Sequence, residues 1–270
     1  MKTILITGAS SGLGKTTAKL FSSKGWRVIA TMRRPEQETE LHQLPHILVK
    51  ALDVTDAAQT EALITDVMRQ YDVDVVLNNA GYGLIGPLET VTDEQLSRQF
   101  ETNVLGVIRL TRACIPYFRE KRRGLFITTT SIAGLIGLPL TAIYCATKWA
   151  IEGWTEGMAF ELNQLGIGIK TVAPGGIKTD FAGRSLDTTI HPAYNDMQEK
   201  LYGGFDPETF TPAEIIAATV YEAATDGKDQ LRYIAGEDAK ASYARRLAIG
   251  NEAFQKEIAQ LYFGSLSKPA

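Results

Sequence analysis

Thr3-Ile4-Leu5-Ile6-Thr7-Gly8-Ala9-Ser10-Ser11-Gly12-Leu13-Gly14-Lys15-Thr16 is the stretch on which the reading of this chain turns. A short β-branched apolar run meets a glycine-rich turn, and the turn opens into a segment patterned as a helix. Such a turn lets backbone approach a phosphate closely and directs helix N-terminal amides at it. The spacing is not the G-x-G-x-x-G dinucleotide fingerprint, and Ala9 to Thr16 comes within one residue of the P-loop pattern G-x-x-x-x-G-K-[ST]. In a P-loop, Lys15 would clamp terminal phosphates, Thr16 would hold Mg²⁺, and a later strand would end in an aspartate for the metal. The run Val73-Asp74-Val75-Val76-Leu77 ends instead in Asn78-Asn79-Ala80-Gly81. A dinucleotide site and a nucleoside-triphosphate site are both open at this point.

Outward from the loop, short apolar runs alternate with amphipathic stretches. Strands are expected at residues 3–7, 27–31, 47–52, 73–77, 125–129, 167–173 and 231–235. Helices are expected near 13–24, 36–43, 56–70, 93–119 and 142–164. Continuous apolar strands separated by helices predict a parallel sheet covered on both faces. The 270 residues suit one α/β domain, and 44% hydrophobic with 22% charged residues excludes disorder, collagen and a disulfide scaffold. A net charge of -3, from 28 basic and 31 acidic residues, offers no field for a nucleic-acid backbone. Cys114 and Cys145 are not spaced for metal or redox work, and the first apolar run is too short for a signal peptide or membrane span, so a cytoplasmic protein is expected. Residues 177–210 break the rhythm, with Pro192, Gly203, Gly204 and Pro207 but no clear strand, and read as a lid. Its Phe181, Leu186, Tyr194, Met197, Leu201, Tyr202, Phe205 and Phe210 would line a substrate pocket or form a satellite core. A C-terminal tail, 239–267, reads as helical around 243–261.

Tyr144 and Lys148 lie four residues apart in a helical segment, one turn apart on one face. Moving a tyrosine from about 10 to about 7 requires roughly 4 kcal/mol of preferential phenolate stabilisation. An ammonium about 4 Å away supplies an interaction of that order at an effective dielectric near 20. The pair can therefore act as a general acid/base near neutral pH. Ser131 follows the strand 125–129, at the edge where open parallel sheets bind ligands, and can hold a substrate oxygen. Asn103 alone reads as a partly buried polar residue.

Together these residues resemble the short-chain dehydrogenase/reductase family. T-G-x-x-x-G-x-G is met by Thr7, Gly8, Gly12 and Gly14, N-N-A-G by Asn78 to Gly81, and Y-x-x-x-K by Tyr144 and Lys148; Ser131, Asn103 and Pro174-Gly175 fall at the remaining motif positions. The resemblance implies a three-layer Rossmann-type α/β fold, a doubly wound parallel sheet of about seven strands, in a single domain. It leaves Lys15 as an exposed helix residue. It implies hydride transfer between a nicotinamide cofactor and a carbonyl or alcohol carbon. Tyr144 would be the acid/base, Ser131 the oxygen ligand, Lys148 the group that lowers the tyrosine pKa and binds ribose, and Asn103 the holder of a relay water. Steroid and retinol dehydrogenases belong to the branch it looks most like, and a medium-sized apolar ketone, aldehyde or secondary alcohol is the expected substrate. A non-catalytic cofactor sensor of the same fold would typically lose Tyr144 or Lys148.

The same resemblance implies where cofactor binds. The loop would contribute Gly8, Ser10, Ser11, Gly12, Leu13 and Gly14. Asp53 and Val54 would meet the adenine, although an Asp before a helix is also a good cap. Asn79, Ala80 and Gly81, then Pro174, Gly175, Ile177 and Thr179, would complete the surface, with Thr179 at the carboxamide or serving as a loop hydroxyl. After the second strand the chain reads Met32-Arg33-Arg34-Pro35 with no acid before Glu36. A carboxylate at this place would pair with the ribose hydroxyls of NAD, whereas arginine can grip a 2′-phosphate. NADP(H) rather than NAD(H) is therefore expected, with Arg33 the main contact and Arg34 its support. A homodimer or homotetramer through residues 93–119 and 142–164 is implied, and the stripe Ala150, Trp154, Met158 and Leu162 would face either a partner or the core.

Overall fold

The computed structural model describes residues 1–179, 185–203 and 209–264, except for the side chain of Tyr202. Its strands are β1 (Thr3–Thr7), β2 (Arg27–Met32), β3 (Ile47–Ala51), β4 (Val75–Asn78), β5 (Gly83–Ile85), β6 (Leu125–Thr129), β7 (Gly168–Pro174), β8 (Ile177–Lys178), β9 (Leu186–Thr188), β10 (Thr211–Pro212) and β11 (Arg232–Ala235). Its helices are α1 (Gly12–Ser23), α2 (Ala57–Gln70), α3 (Asp93–Phe100), α4 (Gly106–Lys121), α5 (Ala142–Asn163), α6 (Asn195–Gly203), α7 (Ala213–Thr225), α8 (Glu237–Ile249) and α9 (Asn251–Phe263).

Seven strands form one sheet in the order β11-β7-β6-β4-β1-β2-β3, with every pair parallel. Alternate residues of each strand feed opposite cores, as the period of two requires. Ile4 and Ile6 of β1 join Val28 and Ala30 of β2 on the face covered by α1 and α7, where Phe21, Ile216 and Val220 meet them. Leu5, Ile29, Val76 and Phe126 point the other way, into a core closed by Leu63, Leu110, Phe118 and Leu162 of α2, α4 and α5. The result is a three-layer, doubly wound α/β fold, and the strand order reverses between β1 and β4.

Local differences from the sequence reading have identifiable causes. Residues 36–43 form two single 3₁₀ turns, Pro35–Gln37 and Leu41–Gln43, rather than a helix. Only Leu41 is buried within the second turn, and the Glu38 carboxylate caps the amides of Glu40 and Leu41, so no apolar face sustains a longer helix. The expected helix over 93–119 is interrupted by a π turn at Glu101–Leu105 between α3 and α4. The segment 177–210, expected to lack strands, contains β8, paired with β10, and β9, paired with β5. The C-terminal tail is two helices divided at Gly250, where φ is +81°. Of the stripe on α5, Leu162 is buried, while Ala150, Trp154 and Met158 are half-buried, Trp154 and Met158 against the same core as Leu162. Phe181, Phe205 and residues 265–267 lie outside the described residues, as does the side chain of Tyr202; Leu186, Tyr194, Met197 and Phe210 are half-buried and Leu201 is buried.

Candidate active site

The glycine loop fills the crevice at the carboxyl ends of β1 and β4, where strand order reverses. Gly8 has φ of +67°, and a Cβ there would lie 2.8 Å from the Ala80 Cα; a Cβ on Gly14 would lie 2.6 Å from Asn79 Nδ2. Larger residues would push the loop off the strand-end segment Asn78–Gly81. Asn79 Nδ2 donates to Thr7 O at 3.1 Å and Gly8 O at 3.2 Å, while Thr7 Oγ1 accepts from the amides of Asn79 and Ala80 at 2.9 and 3.0 Å. Asn79 thus braces the loop with its side chain. Ser11, the N-cap residue of α1, makes no side-chain cap bond, and no acid lies in the first turn. The positive end of the helix is therefore free to receive an anion. Thr179 comes within 3.6 Å of the space next to Gly12, closing the loop from the β8 side.

Other expected cofactor residues divide by environment. Ser10 is exposed, Leu13 lies in the core on the α1 side, and Ile177 and Val54 are half-buried, packed against the two faces' cores. Asp53 accepts from Thr55 N at 3.0 Å and Thr55 Oγ1 at 2.7 Å. The cap of α2 is Asp56, which accepts from Gln59 N, not Asp53. Arg33 and Arg34 are exposed and have no ion-pair partner among the described residues. Lys15 is not the free surface residue expected: its Nζ lies 3.0 Å from Glu38 Oε1 and 3.1 Å from Glu40 Oε2. A lysine occupied in this way does not reach for terminal phosphates, which removes the P-loop reading.

On the β6 side, Ser131 is buried, accepts from Ala133 N at 3.1 Å and adjoins the Tyr144 phenol. Lys148 is buried one turn along α5, and its Nζ donates to Thr129 O at 3.0 Å and lies 5.7 Å from the centre of the Tyr144 ring. Burial pushes the phenol up to about 12, against the adjoining Ser131, and pulls the ammonium down to about 8, against Glu152. Lys148 is thus anchored on a backbone carbonyl beside the tyrosine. Asn103 sits in the π turn; both its amide hydrogens are used, by Tyr82 O at 2.9 Å and Thr147 Oγ1 at 3.2 Å, and its Oδ1 accepts from Tyr82 N at 3.1 Å. It fixes the chain that follows Gly81, and its side-chain donors are not available to a relay water.

Two contributors escaped the sequence reading. Asp238, in the first turn of α8, accepts from Gly176 N at 2.9 Å and packs on Gly175, so the C-terminal helices fasten the loop that follows Pro174. Glu152, a further turn beyond Lys148, is buried and bound by Thr130, Thr171 and Arg232. Its four-residue spacing was visible in the sequence; Asp238 left no local signal.

Comparisons with known proteins agree with this geometry. The family model described as short chain dehydrogenase matches residues 2–189. Retinol dehydrogenase 8 of Homo sapiens is 35% identical over 217 residues, covering 77% of this chain and 67% of that protein. A short-chain dehydrogenase structure from Streptomyces avermitilis has a TM-score of 0.84 at 32% identity, covering 96% of this chain and 95% of that one. The structure of ElxO with NADP bound has a TM-score of 0.75 at 27% identity, covering 90% and 99%. A glycine loop braced by Asn79, a Ser131–Tyr144 pair above the sheet edge and a match across most of the sequence lead to one conclusion: the chain belongs to the short-chain dehydrogenase family of oxidoreductases.

Proposed function

We propose that this protein is an NADP(H)-dependent oxidoreductase that interconverts a medium-sized apolar ketone or aldehyde and the corresponding alcohol. The observation that carries the reading is Tyr144 and Lys148 one turn apart on α5, with Lys148 Nζ held at 3.0 Å by Thr129 O close to Ser131, beside a glycine loop whose helix end is uncapped. The nicotinamide, when bound, supplies or accepts the hydride. In reduction, Ser131 would hold the carbonyl oxygen and stabilise its developing charge, and Tyr144 would give that oxygen a proton and regain one from solvent. A phenol held up to about 12 is fully protonated at neutral pH, which suits a proton donor. Alcohol oxidation needs the phenolate, and its rate should climb with pH. Unpaired Arg33 and Arg34, with no acid at the end of β2, favour the 2′-phosphate of NADP(H). Half-buried Leu186, Tyr194 and Met197, with the tail packed on Ile132 and Leu135 just beyond Ser131, favour an apolar substrate beneath a cover formed by these segments.

The test is NADPH oxidation over a panel of apolar ketones and aldehydes. Turnover is expected, and Tyr144→Phe should lower kcat by about 100- to 10,000-fold with cofactor binding retained. NADPH binding without consumption on any carbonyl would reject the enzyme reading in favour of a cofactor sensor.

A further inference from the structure

Tyr144, Lys148 and Glu152 lie one turn apart along one face of α5, and each meets one of three consecutive residues at the end of β6. Lys148 Nζ donates to Thr129 O at 3.0 Å, Thr130 Oγ1 donates to Glu152 Oε1 at 2.5 Å, and Ser131 adjoins Tyr144. The reaction described above uses Ser131 and Tyr144, with Lys148 beside them, and leaves Glu152 without a role. Glu152 is only 4% exposed. A buried carboxylate is costly unless well bonded, and an apolar residue of similar volume often stabilises a fold as well as a buried ion pair does. Glu152 is nevertheless fully engaged: Thr171 Oγ1 donates to its Oε2 at 3.2 Å and Arg232 Nε at 2.8 Å, while the other end of Arg232 reaches Glu156 at 2.9 Å. The turn after Ser131 is seated tightly against this part of α5, since a Cβ on Gly134 would lie 2.9 Å from Lys148 O and 3.2 Å from Glu152 Cγ.

We propose that Glu152 is a positioning residue for this site: bound to Thr130, Thr171 and Arg232, it keeps Ser131 in register with Tyr144 and stands as the counter-charge behind Lys148. The assignment rests on the oxidoreductase reading above. Around Lys148, α5 contributes Tyr144 and Glu152, the π turn contributes Asn103, and Gly81 and the Thr129 carbonyl close the other sides. Glu152 is the negative group among these, with Arg232 and Glu156 acting through it. Its charge opposes the burial that draws the lysine down to about 8.

Glu152→Gln keeps the size and hydrogen-bonding capacity while removing the charge. The full-length, cofactor-free chain carrying [ε-13C]lysine is titrated by NMR, with Lys148 identified by its loss in Lys148→Arg. The Lys148 midpoint should fall by about one pH unit in Glu152→Gln and recover in Glu152→Asp. The pH-rate profile of carbonyl reduction with NADPH should move toward lower pH by a similar amount in Glu152→Gln and recover in Glu152→Asp. If the midpoint and the pH-rate profile of Glu152→Gln match those of the wild type, the proposal is overturned, whatever happens to the melting temperature. If wild-type protein turns over no carbonyl while the midpoint still shifts, the counter-charge stands and the oxidoreductase reading falls.

Discussion

Arg33 is exposed just beyond β2, and Lys15 and Lys19 of α1 are paired with Glu38 and Glu40. Among the described residues, Arg33 and Arg34 have no ion-pair partner. Reversing the charge in Arg33→Asp should lower the preference for NADPH over NADH, as the ratio of kcat/KM values, by about 10- to 100-fold, the range for loss of a charge-assisted contact. An unchanged ratio would place the 2′-phosphate elsewhere. Single-residue chemistry was largely legible where it depended on local spacing: Tyr144 and Lys148 one helical turn apart, Ser131 just past a strand, glycines in a strand-to-helix turn. It was not legible where a partner came from a distant segment. The carbonyl of Thr129 holds Lys148, and Tyr82 and Thr147 occupy the amide of Asn103, partners that no local spacing announces.

At the scale of elements, long apolar runs and capped helices were readable, whereas short pieces and breaks were not. The capping box of Thr92 and Gln95 starts α3 where expected, but the π turn after Phe100 is set by Asn103 reaching across to Tyr82, which no helical periodicity reports. The C-terminal helices show the same division. Their apolar residues Ala239 and Phe254 pack with Ile132, Leu135 and Ile136, and Asp238 ties the first turn of α8 to Gly176. Asp238→Ala should therefore loosen the loop after β7. Stability in urea should fall by about 1–2 kcal/mol, with weaker NADPH binding measured by fluorescence titration. Reduced stability with unaltered affinity would show that the clasp serves the tail alone.

Across the whole molecule, the two edges of the sheet have separate tasks. The carboxyl edge carries the glycine loop, Ser131 and the loop after Pro174. The amino edge carries paired charges: Asp72 with Lys121 and Arg123, Asp74 with Arg123, and Lys170 near the start of β7 with Asp226 and Tyr233. Hydrogen bonds from Lys121 and Arg123 hold the Asp72 carboxyl down at about 2. At Asp226, burial works in the opposite direction but is outweighed by Tyr233 and Lys170, so this carboxyl also lies below its ordinary value. A carboxyl with a depressed folded-state pKa stabilises the fold above its unfolded value, near 4, and that stabilisation is lost as pH falls through the folded value. Acid unfolding should therefore begin below about pH 4 and draw on this edge. Asp226→Asn leaves Lys170 buried beside a neutral partner and should lower Tm at pH 7 by about 5 °C. The gap between variant and wild type should narrow steadily in melts taken from pH 5 to pH 2, while kcat at pH 7 stays at the wild-type level because the site lies at the far edge. A gap that stayed constant down to pH 2 would show that the carboxylate charge of Asp226 contributes nothing to stability.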